Sequence, residues 1–122
     1  MATTPARLPV YPTTPLEEIF DFRYADITDD ASGTEEVVWT PQSGRRIRIA
    51  SITVSVSSSG VVEIRDNTDN SIIMTLTFEE RKAIPFSPPF LFSLPRDHKL
   101  SVKFTADTGT AHCYVTIFGS EL

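Results

Sequence analysis

Apolar and polar residues alternate along most of this 122-residue chain, and that period-two pattern constrains the fold more than any other feature. In "KLSVKFTAD", Leu100, Val102 and Phe104 fall on one face; in "AHCYVTIFG", Cys113, Val115 and Ile117 do the same. "GVVEIRD" sets Val62 and Ile64 against Glu63 and Arg65, and "IIMTLTFEE" sets Ile72, Met74, Leu76 and Phe78 against Thr75 and Thr77. Each run is bounded by turn-forming residues, as in "PQSG", "DNTDNS" and "DTGT". The 3.6-residue helical period is absent, apart from a single turn that Pro15 can open at "PLEEIF".

Two stretches break the alternation informatively. In "RRIRIASITVSVSSS", Ile47 and Ile49 occupy odd positions but Ile52, Val54 and Val56 even ones. A strand cannot change face without an extra residue, so a β-bulge is predicted near Ala50-Ser51. "IPFSPPFLFSLP" carries Pro85, Pro88, Pro89 and Pro95 and cannot pair as a central strand throughout. It reads as two short edge pieces around a Pro-Pro corner, with Phe86, Phe90 and Phe92 filling the core or forming a subunit contact. With "VVWT" at 37–40 and "IFDFRYADIT" as an extra strand, the chain is expected to be an all-β antiparallel sandwich. Eight strands in total would suit a jelly roll.

The first 33 residues differ from the rest. Residues 1–36 hold eight acids against Arg7 and Arg23, whereas residues 37–122 hold eight acids and nine bases. The expected organisation is therefore an acidic, proline-bearing arm over 1–33 and a nearly neutral sandwich domain over 34–122. Without a concentrated basic face, nucleic acid is not expected as a partner. No apolar run reaches the length of a membrane span and none reads as a signal peptide, so neither a membrane partner nor export is expected. A body of this size buries a modest share of its surface, which favours oligomerisation.

Pro9, Pro12 and Pro15 recur every third residue, the repeat of a polyproline II helix, and would line one edge of it. A disordered tail would not need Leu8, Val10, Tyr11, Leu16, Ile19, Phe20, Phe22 and Tyr24. The expectation is an extended arm that docks on a partner through Leu8, Pro9, Val10, Tyr11, Pro12, Pro15, Phe20, Phe22 and Tyr24. An SH3-type ligand built around Arg7 and "PVYP" is a narrower alternative.

Catalytic chemistry is not legible. His98 and His112 lie far apart in no metal-ligand spacing, and no serine sits in a nucleophile-elbow context. "RDNTDNS" offers hard oxygen ligands for calcium but lacks the EF-hand pattern, and Asx-rich hairpin turns need no ion. Cys113 and Trp39 read as core residues. Arg45, Arg46 and Arg48 at "SGRRIRI" form either a solvated strand face or a docking patch for carboxylates, for example those of a neighbouring subunit's acidic arm. No cofactor, metal or enzymatic activity is expected.

The run "GTEEVVWTPQSGRRIRIASITVSVSSSGVVEIRD", followed by "DHKLSV" and "DTGTAHCYVTIFGSE", resembles small jelly-roll virion structural proteins of tailed bacteriophages, of the capsid decoration (cement) type. The resemblance covers residues 34–122. It departs from their pattern at Arg45-Arg46, where Lys-Arg is common, and in the long proline-bearing arm. The resemblance implies a jelly-roll or tumour-necrosis-factor-like sandwich in a non-enzymatic virion protein. That protein would be a homotrimer on the capsid surface, made in the host bacterial cytoplasm. Its partner would be the major capsid protein, with the arm stabilising the shell. The alternative is a carbohydrate- or receptor-binding module of a tail or head fibre, which needs a row of solvent-facing aromatics; Tyr114 and Phe118 are its sequence-level candidates.

Overall fold

A computed structural model describes residues 18–86 and 92–122. Among these residues the chain forms nine strands and no helix. They are β1 (Ile19–Asp29), β2 (Thr34–Trp39), β3 (Ile47–Val56), β4 (Gly60–Asp66), β5 (Ser71–Phe78), β6 (Lys82–Phe86), β7 (Phe92–Ser93), β8 (Leu100–Ala106) and β9 (Ala111–Glu121). One sheet has the order β1-β9-β3-β6, with β7 also on β3, and the other has the order β2-β8-β4-β5.

The pairing is nested. β1 pairs with β9, β2 with β8, β3 with β6 and β7, and β4 with β5, all antiparallel. A long hairpin rolled up in this way, with its partners divided between two facing sheets, is a jelly roll. The Pro-containing stretch supplies two short pieces, β6 and β7, that pair with successive parts of β3 at the sheet edge. This is where strands that lack amide donors belong.

Residues chosen by the alternation face inward. Ile47, Ile49, Ile52, Val54, Val56, Val62, Ile64, Leu100, Val102, Phe104, Cys113, Val115 and Ile117 are buried between the sheets with Trp39 and Ile27. The face change in β3 is made where expected: the register on β9 shifts between Ile49 and Ser51, leaving Ala50 as the extra residue. Opposite this bulge, Gly119 is required by close approach. A Cβ there would lie 2.2 Å from the Arg48 carbonyl oxygen.

β5 departs from simple alternation. Ile64 pairs with Met74 but Arg65 pairs with Ile72, so Ile73 is an extra residue. Ile72 therefore leaves the face of Met74, Leu76 and Phe78 and joins Arg65 on the outer side, where it is 52% exposed. A second point concerns the start of the body. Residues 19–29, placed in the arm by composition but also read as an extra strand at "IFDFRYADIT", form β1 and pair along their whole length with β9. A boundary at 33/34 falls in the turn between β1 and β2. The acidic composition that set it apart belongs partly to an edge strand, which tolerates charge.

Gly119→Ala is expected to destabilise the fold by about 1–3 kcal/mol, since backbone, not a flexible side chain, must move. Gly109→Ala, at φ 64° with nothing within 4 Å, should cost about 1–2 kcal/mol from backbone conformation alone. Urea denaturation of both variants measures the difference.

Candidate binding face

The two outer faces of the sandwich are unlike. On the β2-β8-β4-β5 sheet the outer side chains form a charge ladder. Arg65 contacts Glu35 through Nε at 3.4 Å and Glu63 through Nη1 at 2.8 Å, and donates to Asn70 Oδ1 at 2.7 Å. Glu35 accepts from the Ser101 hydroxyl at 2.6 Å and from Asn67 at 3.2 Å. The Ser101 hydrogen bond is the largest influence on the Glu35 carboxyl. With Asn67, Arg65 and Lys103 it outweighs burial and holds the pKa below the usual range. These charges pair with one another across the strands, while the buried Arg65 Nε makes no hydrogen bond.

The outer face of the other sheet carries aromatics. Even-numbered residues of β1 point outward, and the register sets Phe22 opposite Phe118, Tyr24 opposite Thr116, Asp26 opposite Tyr114 and Thr28 opposite His112. Phe118 is sandwiched along the sheet by Phe22, 4.7 Å away between ring centroids, and by Phe20 at 5.9 Å. Tyr114 stacks on His112 at 6.1 Å, and His112 Nδ1 lies 3.1 Å from the Thr28 hydroxyl. Phe20 is 59% exposed, Phe22 62% and Tyr24 80%, and Tyr114 and Ile19 are also exposed. The Phe20–Phe118–Phe22 cluster, with Tyr24 next along the edge strand, exposes apolar rings of the kind that mark an interaction site.

The ends of the β1–β9 pair are held by buried carboxylates. Asp29 accepts from the amides of Ala31, Gly33 and Ala106 at 2.9, 2.8 and 2.8 Å and from the Thr34 hydroxyl at 2.8 Å. Burial alone would raise its pKa, but these hydrogen bonds, Ala106 foremost, hold it below the usual aspartate range. At the other end, Glu121 accepts from Trp39 Nε1 and from the Gln42 amide, each at 2.8 Å. Arg23 lies over the Trp39 ring at 4.8 Å and within 4.0 Å of Glu121. Sequence reasoning singled out neither acid. The "DDASG" turn, with Gly33 at φ 93°, was the available signal for Asp29, since an Asp before such a turn caps its amides. Glu121 had no local signal, because its donors come from residues about 80 positions away.

The sequence-derived site residues divide three ways. Leu8, Pro9, Val10, Tyr11, Pro12 and Pro15 lie outside the described residues. Phe20, Phe22 and Tyr24 lie on β1 in the exposed row. Arg48 meets Glu18 of its own chain at 3.3 Å, while Ser120 donates to the same carboxylate. Arg45 donates to the Glu121 carbonyl at 3.2 Å, and Arg46 is exposed, its backbone paired with that of Leu122. The three arginines therefore spread along an edge that their own chain partly occupies. Both Asp66 oxygens of the calcium-like turn are engaged, one by the Asp69 amide at 3.1 Å and the other by His98 at 2.7 Å. Among the described residues no group of three or more His, Cys, Asp or Glu side chains could hold a metal ion. None of their helices is long and apolar enough to cross a membrane.

No protein-family model matches the chain. No curated protein matches it either. Among solved structures, a chain of the capsid asymmetric unit of cyanophage Pam1 is similar over 94% of this chain and 93% of that one, with 7% identity and a TM-score of 0.51. That likeness concerns the fold. Two further matches, the Drosophila NLP core (19% identity, TM-score 0.36, 82% of this chain and 98% of that one) and the virus-like particle of the giant freshwater prawn extra small virus (17%, 0.32, 97% and 92%), score too low to carry an argument.

Asp29 has a lower pKa folded than unfolded. Its contribution is therefore complete above the ordinary carboxylate range and is lost as the pH falls through the folded value. Asp29→Asn turns an acceptor toward four donors into a group with an NH2 of its own. The expected loss is about 1–3 kcal/mol at pH 7, narrowing toward acid pH, in denaturation curves taken from pH 7 to pH 2. Cys113, whose thiol burial pushes up to about 12, should resist alkylation at pH 8 until the protein unfolds, as followed by a thiol-reagent time course.

Proposed function

We propose that this chain is a non-enzymatic structural protein of a bacteriophage virion, a capsid decoration protein that trimerises and stabilises the shell. The observation that carries the reading is the exposed row of Phe20, Phe22, Tyr24 and Tyr114, with half-buried Phe118 between them, on edge strand β1 and its neighbour. The chain leading into that strand carries Pro9, Pro12 and Pro15. A small domain that leaves such a surface uncovered gains by burying it against other subunits. A ligand that binds only the assembled shell stabilises it by mass action.

The jelly-roll topology and the fold likeness to a cyanophage capsid chain support the virion setting. In this reading the protein sits on the capsid surface, its partners are further copies of itself and the major capsid protein, and the N-terminal segment that leads into β1 serves as the docking arm. Neither nucleic acid nor membrane is a partner, and the protein is made in the bacterial cytoplasm.

A second reading, a carbohydrate- or receptor-binding module of a tail or head fibre, draws on the same row. Tyr24 at 80% exposure is its best platform for a sugar ring. Glycan-array binding that disappears in Tyr24→Ala would favour it.

The decoration reading predicts that light scattering after size exclusion gives three times the 13.6 kDa chain mass. It also predicts that adding the protein to undecorated capsids of its phage raises their melting temperature. A monomer that leaves capsid melting unchanged contradicts it.

A further inference from the structure

We propose that the aromatic row on the β1–β9 face is the docking site for the proline segment Pro9–Pro15 of a neighbouring copy of this chain. The proposal rests on the arm-and-oligomer reading above and names the surface that the arm occupies.

Three observations carry it. The first is chemical. Polyproline segments dock on aromatic-lined surfaces, where rings pack against the pyrrolidine edge and a preformed extended helix loses little entropy. This chain holds both halves: prolines at every third position, and exposed Phe20, Phe22 and Tyr24 in a row beside half-buried Phe118.

The second is length. Pro9 to Pro15 spans about 19 Å at ~3.1 Å per residue. The aromatics Phe20 to Tyr24 span about 13 Å of β1 at ~3.3 Å per residue, and exposed Asp26 extends the same face to about 20 Å. Exposed Asp26, opposite Tyr114, also gives the end of the row an acid for Arg7, the only base that precedes Arg23.

The third is direction. Glu18 is fixed on the outer face by Ser120 and Arg48, so the chain enters β1 at the Phe20 end while the row runs away from that point. For a chain to cover its own row, it would have to reverse just before Glu18. A four-residue turn there would use up Pro15 and Leu16. A neighbouring copy meets no such restriction, and its segment crosses the row at full length. Copies linked in this way each give and receive one segment, the head-to-tail arrangement that closes into a ring.

The test uses the full-length protein with photoreactive benzoylphenylalanine in place of Tyr11, prepared as an equal mixture of nitrogen-14 and nitrogen-15 copies. Irradiation is expected to join position 11 to peptides containing residues 20–24 or 114–118, with mixed isotope pairs. Tyr24→Ser, at a position too exposed to affect folding, and the triple variant Pro9→Ser, Pro12→Ser, Pro15→Ser should each remove this cross-link. Each should also weaken self-association by about tenfold or more.

Cross-links only within single-isotope copies overturn docking between copies. Copies that associate but cross-link elsewhere overturn the assignment of this face while leaving the oligomer standing. A monomer at every concentration, with no cross-link, overturns both. A failure to bind capsids leaves the cross-link result untouched, so the decoration reading and this site fail separately.

Discussion

The structure depends on β9, which is paired along its length by β1 on one side and by β3 on the other. β1 and β9 are the outermost pair of the nested set, and they join the two ends of the described body. Every other pairing is enclosed by this one, so its register fixes which residues of the first and last strands face inward. It also places a buried carboxylate at each end of the pair, and each acid reaches across to the other sheet. Asp29 binds the Ala106 amide of β8 and Thr34 of β2, and Glu121 binds Trp39 of β2. A buried charge is costly unless several donors surround it, and these donors come from elements that must first be in place. The two acids therefore fasten the sheets only when the roll has closed in the correct register.

The same pairing produces the candidate binding face. With Ala25 and Ile27 turned toward the core, the even positions of β1 must face outward, and Phe20, Phe22 and Tyr24 are carried into solvent beside Phe118 and Tyr114. On the opposite sheet Arg65, Glu35, Glu63 and Ser101 pair across the strands, with Ile72 exposed beside them. The charge ladder on one sheet and the uncovered aromatic row on the other make the β1–β9 face the candidate interaction surface.

Much of this architecture was legible because alternation reports burial directly. The core faces of β3, β4, β8 and β9 could be read residue by residue, and so could the bulge at Ala50, since a strand that changes parity must carry an extra residue. Ile72 was misplaced because the bulge at Ile73 leaves no mark in an apolar run, where each neighbour is as hydrophobic as the next. The outer aromatics were read both as an extra strand, from their alternation, and as part of an arm, because composition cannot distinguish a charged edge strand from a tether. The side chains are the same, and only the pairing partner differs. Glu121 could not be found from local sequence at all, since its role exists only once β2 is folded against the end of β9.

Residues 19–29 are a strand of the body in register with β9, and this register carries the aromatic row. Cross-strand backbone NOEs in solution NMR are the decisive measurement. Contacts that set Phe22 opposite Phe118 and Ala25 opposite Val115 are expected, with slow amide exchange along β1 where it bonds to β9. Random-coil shifts and fast exchange throughout residues 19–29, or a register displaced by one residue, would contradict it.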